Sequence, residues 1–329
     1  MEKTKQKQIT DFLINNGVII VMFLLVIYTG LTTANFFTMN NLTNTLMNMS
    51  SRLVIALGIA GCVITAGCDL SAGRMIGLGG CISGVLLQRI DYSGKFFPGM
   101  EPLNVILVAF IVMAICACFG TVTGFFIAHL SVPPFIATLA MMEIVYGLNL
   151  IFTNATPLGG YTTEYTNVGS GRFLGIGYLI WIAIIVAAVT WFIFNMTRHG
   201  KYMYAIGGNP QAAEVAGVPV KLTLILIYMK AAAMYGLAGF MLGAKSGGAS
   251  VQLGYGYEME AIAACTIGGV SVTGGRGKVS SAIIGVAVFE LLKVALQYLG
   301  VDANAQYIAI GIVIFVAISL DIRKYVAKK

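Results

Sequence analysis

The stretch VTGGRGKVSS, residues 272–281, sets glycines, an arginine and a lysine at a spacing that raises the question of phosphate binding. A P-loop reads G-x-x-x-x-G-K-[ST]: the first glycine tightens the loop, backbone N–H groups wrap the phosphates, and the hydroxyl after the lysine holds Mg²⁺. Gly277 and Lys278 fit, but Val272 stands at the first glycine position and Val279 at the hydroxyl position. Both departures remove groups the chemistry needs, so the stretch reads as a glycine-rich turn carrying two cations.

Other chemistry-bearing residues lie inside long apolar runs. Asp69, Arg74, Glu143, Lys230, Glu290 and Lys293 are the ionisable groups at that depth, where a charge is tolerated only against a partner or a water-filled cavity. Glu290 and Lys293 are three apart on one helix and are expected to pair with each other, while Lys230 is expected to snorkel toward the end of its run. In LAMMEIVYGLN, Glu143, Tyr146 and Asn149 share a helix face that either lines an aqueous path or forms a hydrogen-bonded cluster between helices. The segment TAGCDLSAGRMIGLGG, 65–80, cannot cross lipid as exposed backbone and is expected to be a turn or an interrupted helix lining a cavity. Asp69 either caps the following helix or borders a translocation path or gate with Ser71 and Arg74. The cysteines at 62, 68, 81, 116, 118 and 265 lack metal or redox spacing and read as small packing residues. His129 and His199 have no companion ligands, and no nucleophile, base and orienting group occur together, so neither a metal site nor an enzyme is expected.

The elements that must position these residues are membrane helices. The 329 residues are 58% apolar and 10% charged, with a mean hydropathy of +0.88, less than half the charge of a soluble domain. Runs suited to crossing about 30 Å of hydrocarbon fall near 13–35, 51–68, 71–90, 103–129, 133–153, 175–195, 223–244, 258–273, 279–299 and 304–322. The expectation is an all-α polytopic bundle of about ten helices, with eight as the alternative, in a single domain over 1–329; the runs on either side of Asp69 could be one broken element. The first run is long and lacks a cleavage site, so it reads as a retained anchor.

The net charge of +7 is not gathered on a nucleic-acid-binding domain. Lys3, Lys5, Lys7, Arg198, Lys201, Lys221, Arg276, Lys278, Arg323, Lys324, Lys328 and Lys329 all fall on one side if there are ten crossings. That side is the cytoplasm by the positive-inside rule, which puts both termini and the 272–281 turn there, in an inner membrane. Glycine pairs at 73/77, 80/84, 120/124 and 239/243 predict close helix–helix approach.

The polar connection 196–222 contains IGGNPQAAEVAGVPV. Asn209 suits a helix cap, Pro210 the first helical position and Gly217 the stop. The predicted short helix is small-sided and uncharged apart from Glu214, which suits either docking in a groove of another subunit or an ordinary interfacial loop helix.

DLSAGR, VPPFIATLAMMEIVYGLN, AIGGNPQAAEVAGV and AIAACTIGGVSVTGGRGKV, in this order along almost the whole chain, resemble the permease subunits of ribose- and galactoside-type ABC importers. Ser-Ala-Gly-Arg after Asp-Leu is more similar to the galactoside members. The resemblance implies a bundle of the vitamin-B12-importer type, with two copies enclosing a path for a monosaccharide such as galactose or methyl-galactoside. It also implies a separate cytosolic ATPase holding ATP and Mg²⁺, an external sugar-binding protein, and no cofactor in this chain. Gly207, Gly208, Asn209, Ala212, Ala213 and Gly217 map onto the segment that couples to the ATPase. Ribose, another sugar or a nucleoside is the alternative cargo, and an ion-coupled secondary transporter using Glu143 or Glu290 the rival class.

The purified chain is expected neither to bind nor to hydrolyse ATP. Turnover by this subunit alone, persisting after contaminating ATPases are removed, would overturn the reading of the 272–281 turn.

Overall fold

The structure, a computed structural model, describes residue 17 and residues 20–326. The expected anchor begins outside these residues, as do Lys3, Lys5, Lys7, Lys328 and Lys329. The described chain is helical: α1 (Ile20–Thr32), α2 (Met39–Ile64), α3 (Ala72–Leu86), α4 (Val105–His129), α5 (Pro134–Thr153), α6 (Thr163–Ser170), α7 (Tyr178–Met196), α8 (Arg198–Gly208), α9 (Pro210–Val215), α10 (Val220–Ser246), α11 (Tyr257–Gly268), α12 (Val279–Tyr298) and α13 (Ala303–Val326). Between α6 and α7, β1 (Arg172–Phe173) and β2 (Ile176–Gly177) make a minimal antiparallel hairpin.

Among the described residues six helices are long and apolar enough to cross a membrane: α2, α4, α5, α7, α10 and α12. Of the other expected crossings, α3 and α11 have only 15 and 12 residues, and the apolar parts of α1 and α13 among the described residues are short, so length alone does not carry a count of ten. The reason is clearest around Asp69. The runs expected at 51–68 and 71–90 become a 26-residue α2 that stops at Ile64 and a 15-residue α3. At 1.5 Å per residue α3 reaches only about 22 Å, and nearly all of it is buried.

The core of the bundle is α2, whose apolar window is 83% buried, together with α10. Helix α10 lies between α2, α3 and α4. Two thirds of its apolar window is buried (67%), against 22% in α4 and in α7, so α10 is core and the other two turn most of their surface outward. Small residues permit this packing. Gly120 and Gly124 of α4 abut the α10 backbone at Tyr228 and Ile225, and Gly239 of α10 abuts Ile76 and Gly80 of α3. The α3 pair Gly73/Gly77 does something different from the expected helix–helix contact. A side chain at Gly77 would come within 3.1 Å of the Val251 carbonyl oxygen and 3.2 Å of that of Leu253, and one at Gly73 within 2.8 Å of the Gly254 carbonyl oxygen. These glycines admit the non-helical connection 247–256, whose own Gly254 and Gly256 have φ of 81° and 83°.

The two ends of the bundle are tied separately. At one end the Gly275 N–H donates to the Ile64 carbonyl oxygen at 2.8 Å, and the Tyr204 hydroxyl donates to that of Gly277 at 2.7 Å. At the other, Leu158 and Ala249 exchange backbone hydrogen bonds, the Thr162 N–H donates to the Leu87 carbonyl oxygen, and the Tyr165 hydroxyl donates to that of Phe240.

Glu290 and Lys293 do not pair with each other as their spacing predicts. Arg52 of α2 pairs with Glu260 of α11 and, through Nε at 2.8 Å, with Glu290 of α12, while Lys293 pairs with Glu260. The Arg52 guanidinium also lies 4.7 Å from the centroid of the Tyr257 ring. Two carboxylates and two cations from three helices thus compensate one another, which fixes α11 and α12 against α2.

Because Glu290 is only 3% exposed, Arg52→Met strands its charge and is expected to cost about 3–5 kcal/mol of stability. Arg52→Met combined with Glu290→Met is expected to recover most of that loss, read as the thermal unfolding midpoint in detergent. Equal midpoints for wild type and the single variant would remove the network from the account of stability.

Candidate functional site

The expected coupling residues form a built structure at one end of the bundle. Asn209 caps α9, its Oδ1 accepting from the Ala212 N–H at 3.0 Å, with Pro210 at the first helical position. The helix stops where predicted: the Val218 N–H returns to the Ala213 carbonyl oxygen, and Gly217 takes a left-handed φ of 81° that glycine accepts without strain. Gly207 is buried, and any side chain there would collide with the Ile64 carbonyl and the Gly275 amide. Gly208 has open space around it and is exposed. The six residues therefore differ in kind. Gly207 and Ala213, 5% exposed, are the root, while Asn209, Ala212, Gly217 and the 91%-exposed Val215 face outward.

The 272–281 stretch completes this end. The Ser271 N–H donates to the Arg276 carbonyl oxygen, closing a tight turn in which Gly274 and Gly275 have φ of 85° and 73°. It packs on α8 and on the last carbonyl of α2. Burial, and then nearby Lys230, pushes the His199 imidazole on α8 down to about 4, so the ring is neutral near pH 7 and adds no charge to this surface.

The six path or gate candidates divide into three groups. Asp69 and Ser71 are together and buried: Asp69 Oδ1 accepts from the Ser71 N–H at 3.0 Å and from its hydroxyl at 2.6 Å. Asp69 is not the cap of α3, however. That position belongs to Ser71, whose side chain makes no capping bond, so Asp69 closes the preceding turn two residues outside the helix.

Arg74 and Tyr146 form the second group. The guanidinium lies over the Tyr146 ring at 3.9 Å and the Tyr255 ring at 4.7 Å, and Nη1 donates to Gln252 Oε1 at 3.1 Å. Gln252 in turn donates to the Tyr146 hydroxyl at 3.3 Å.

Glu143 and Asn149 are separate from both groups. Glu143 is exposed, whereas Asn149 is 1% exposed with its Oδ1 unpartnered among the described residues. The Glu143–Tyr146–Asn149 face is therefore graded from outside to core and is not a single hydrogen-bonded cluster.

Sequence reading missed Gln252 and Tyr255, and also Arg52 and Glu260. VQLGYGYEME lies between the expected runs 223–244 and 258–273 and at the start of the second, and carries no motif. Only the glycine row of α3, with neighbours lacking side chains at 73 and 77, hints that a backbone must lie against it. Arg52 and Glu260 are 208 positions apart, and no local periodicity joins them.

With this geometry in place, comparison with known proteins is informative. Residues 41–318 match the family model described as the permease component of branched-chain amino acid transport systems. The galactose/methyl galactoside import permease of Escherichia coli K12 is 40% identical over 337 aligned positions covering both chains completely. That of Haemophilus influenzae is 41% identical over 94% of this chain and 95% of its own. The ribose import permease of Escherichia coli K12 is 33% identical over 93% of each. No solved structure matches. The relatives are transport permeases, and the long apolar helices here are those of a multi-pass membrane protein. By both the extent of the family match and the end-to-end relatives, the chain belongs to this family of membrane transport permease components.

Proposed function

We propose that the chain is the membrane permease of an ATP-driven importer of galactose and methyl-galactoside. The observation that carries the reading is the α8–α9 segment. Its α8 half is packed into the bundle through Met203 and Ile206, its α9 tip is exposed and apolar at Val215, and Gly207 between them is in close backbone contact with both α2 and the 270–278 turn. Such a segment has the form of a lever: a subunit gripping the tip moves the ends of the helices behind it. In this proposal the gripping subunit is a separate ATPase, with ATP and Mg²⁺, which fits the departure of 272–281 from a nucleotide loop at Val272 and Val279. The relatives' names supply the sugar.

The finer architecture follows in the same proposal. Ile64, Gly207 and Gly275 meet at one end, and Leu87, Thr162 and Ala249 gather at the other. Alternate ends are what ten crossings require, counting α1, α3, α11 and α13 as passes. Both termini and residues 196–222 are then cytosolic, in one domain over 1–329, and two copies enclose the path in the manner of a vitamin-B12-type importer. An external binding protein delivers the sugar.

Cells lacking this permease are expected to lose high-affinity galactose and methyl-galactoside uptake. Loss of ribose uptake alone would replace the cargo and leave the class standing.

The lever is tested at Val215, because Ala213 is packed within the chain and a bulky residue there damages the segment itself. Val215→Arg is expected to insert and fold normally, with an unchanged unfolding midpoint, but to abolish uptake and co-purification of the ATPase. Wild-type uptake and co-purification would withdraw residues 207–217 from energy coupling.

A further inference from the structure

The 247–256 connection carries an implication of its own. It leaves the end of α10 and descends along α3, with Val251 against Gly77 and Gly254 against Gly73. Gly73 lies about 20 Å from the end of α3 at Leu86, at 1.5 Å per residue, so non-helical backbone and polar side chains lie well inside the bundle's span. Gln252 is exposed there and Tyr255 is 65% exposed. Irregular backbone at such depth is stable only where it is buried in protein or lines a water-filled cavity. On the neighbouring α5, Glu143 is exposed at the middle of a 20-residue helix, where a carboxylate likewise has no place against lipid. Exposed Glu143 on α5, three residues from Tyr146, and exposed Gln252 and Tyr255 in the connection fit water at this depth.

We infer that Arg74, Tyr146, Gln252 and Tyr255 form a sugar-contacting station on the aqueous path, a deepening that rests on the importer reading above. The chemistry suits a neutral, hydroxyl-rich ring. Tyr255 presents an aromatic face held out between Gly254 and Gly256. Gln252 is both donor and acceptor, and Arg74, whose hydrogen bonds here leave from Nη1 to Gln252 and to the Val251 carbonyl oxygen, retains its Nε and Nη2 donors. The two rings and the amide hold the guanidinium flat, so it is pre-oriented. Gln252 and Tyr255 are exposed, and an open face gives weak contact. A transported solute needs contact good enough to enter and poor enough to leave.

The test uses the assembled transporter, permease with ATPase and binding protein, in liposomes. Galactose moved per ATP hydrolysed is measured for wild type, Gln252→Ala, Tyr255→Ala and Tyr255→Phe. Each alanine variant is expected to lower that ratio about five-fold, the worth of one lost hydrogen bond or stacking contact. Stimulation of the ATPase by loaded binding protein stays within about two-fold of wild type, and Tyr255→Phe retains most of the ratio. Unchanged ratios in both alanine variants would overturn the station. So would uptake and ATP hydrolysis falling in parallel, as expected if the face were a contact between two permease copies. Failure of wild type to move galactose while moving ribose would instead strike the cargo assignment, and the same ratio measured with ribose then tests the station.

Discussion

Every backbone amide and carbonyl that enters hydrocarbon must find a partner inside the protein or meet water in a cavity, and this constraint organises the whole molecule. Most of the chain meets it by forming helices. The exceptions are informative because each needs a neighbour that gives way. The 65–71 break is closed by Asp69 and Ser71. The 247–256 connection lies in a trough that exists because Gly73 and Gly77 have no side chains. The 270–278 turn uses left-handed glycines to present the Gly275 amide to the last carbonyl of α2. Glycine is abundant here less for flexibility than for allowing one backbone to reach another.

Local features were legible where one short segment contained both cause and effect. Asn209, Pro210 and Gly217 bound α9 because cap, first-turn proline and left-handed stop act within eight positions. The tight turn at 272–281 was legible for the same reason, since its glycines lie within a few positions of one another. Long-range pairing was not. Glu290 and Lys293 have the spacing of a helical pair, yet Arg52 and Glu260 claim them. Three helices converging bring stronger partners than one helix turn supplies, and sequence periodicity is blind to convergence. Lengths misled for a related reason: the apolar run around 71–90 promised a full crossing, but the connection beside α3 lets a shorter helix be fully covered by protein.

The same distinction separates the parts of the candidate site. A docking helix can be read as a string of small residues, because its requirement is local shape. The Arg74 cluster draws on α3, α5 and the connection before α11, so only Arg74 and Tyr146 gave a signal, as polar residues in apolar runs. Gln252 and Tyr255 lie between the apolar runs 223–244 and 258–273, and only their contacts with Arg74 of α3 bring them into the cluster.

Helix α2 links these regions mechanically. Its last carbonyl receives the Gly275 amide beside Gly207, its continuation turns through Asp69 into α3 and the Arg74 cluster, and its Arg52 holds α11 and α12 through two carboxylates. A packed helix transmits displacement along its axis with little loss, because interior side chains have no free volume to absorb it. Under the importer reading, a pull on α9 therefore cannot stay local. It reaches the end of α2 through Gly207, and from there divides between the α3 branch, which carries the sugar-contacting face, and the Arg52 pairs, which carry α11 and α12. Since the 247–256 connection joins α11 to α10 and rests on α3, both branches converge on the same face, so movement at the coupling end changes the shape of the path without any residue there touching the sugar.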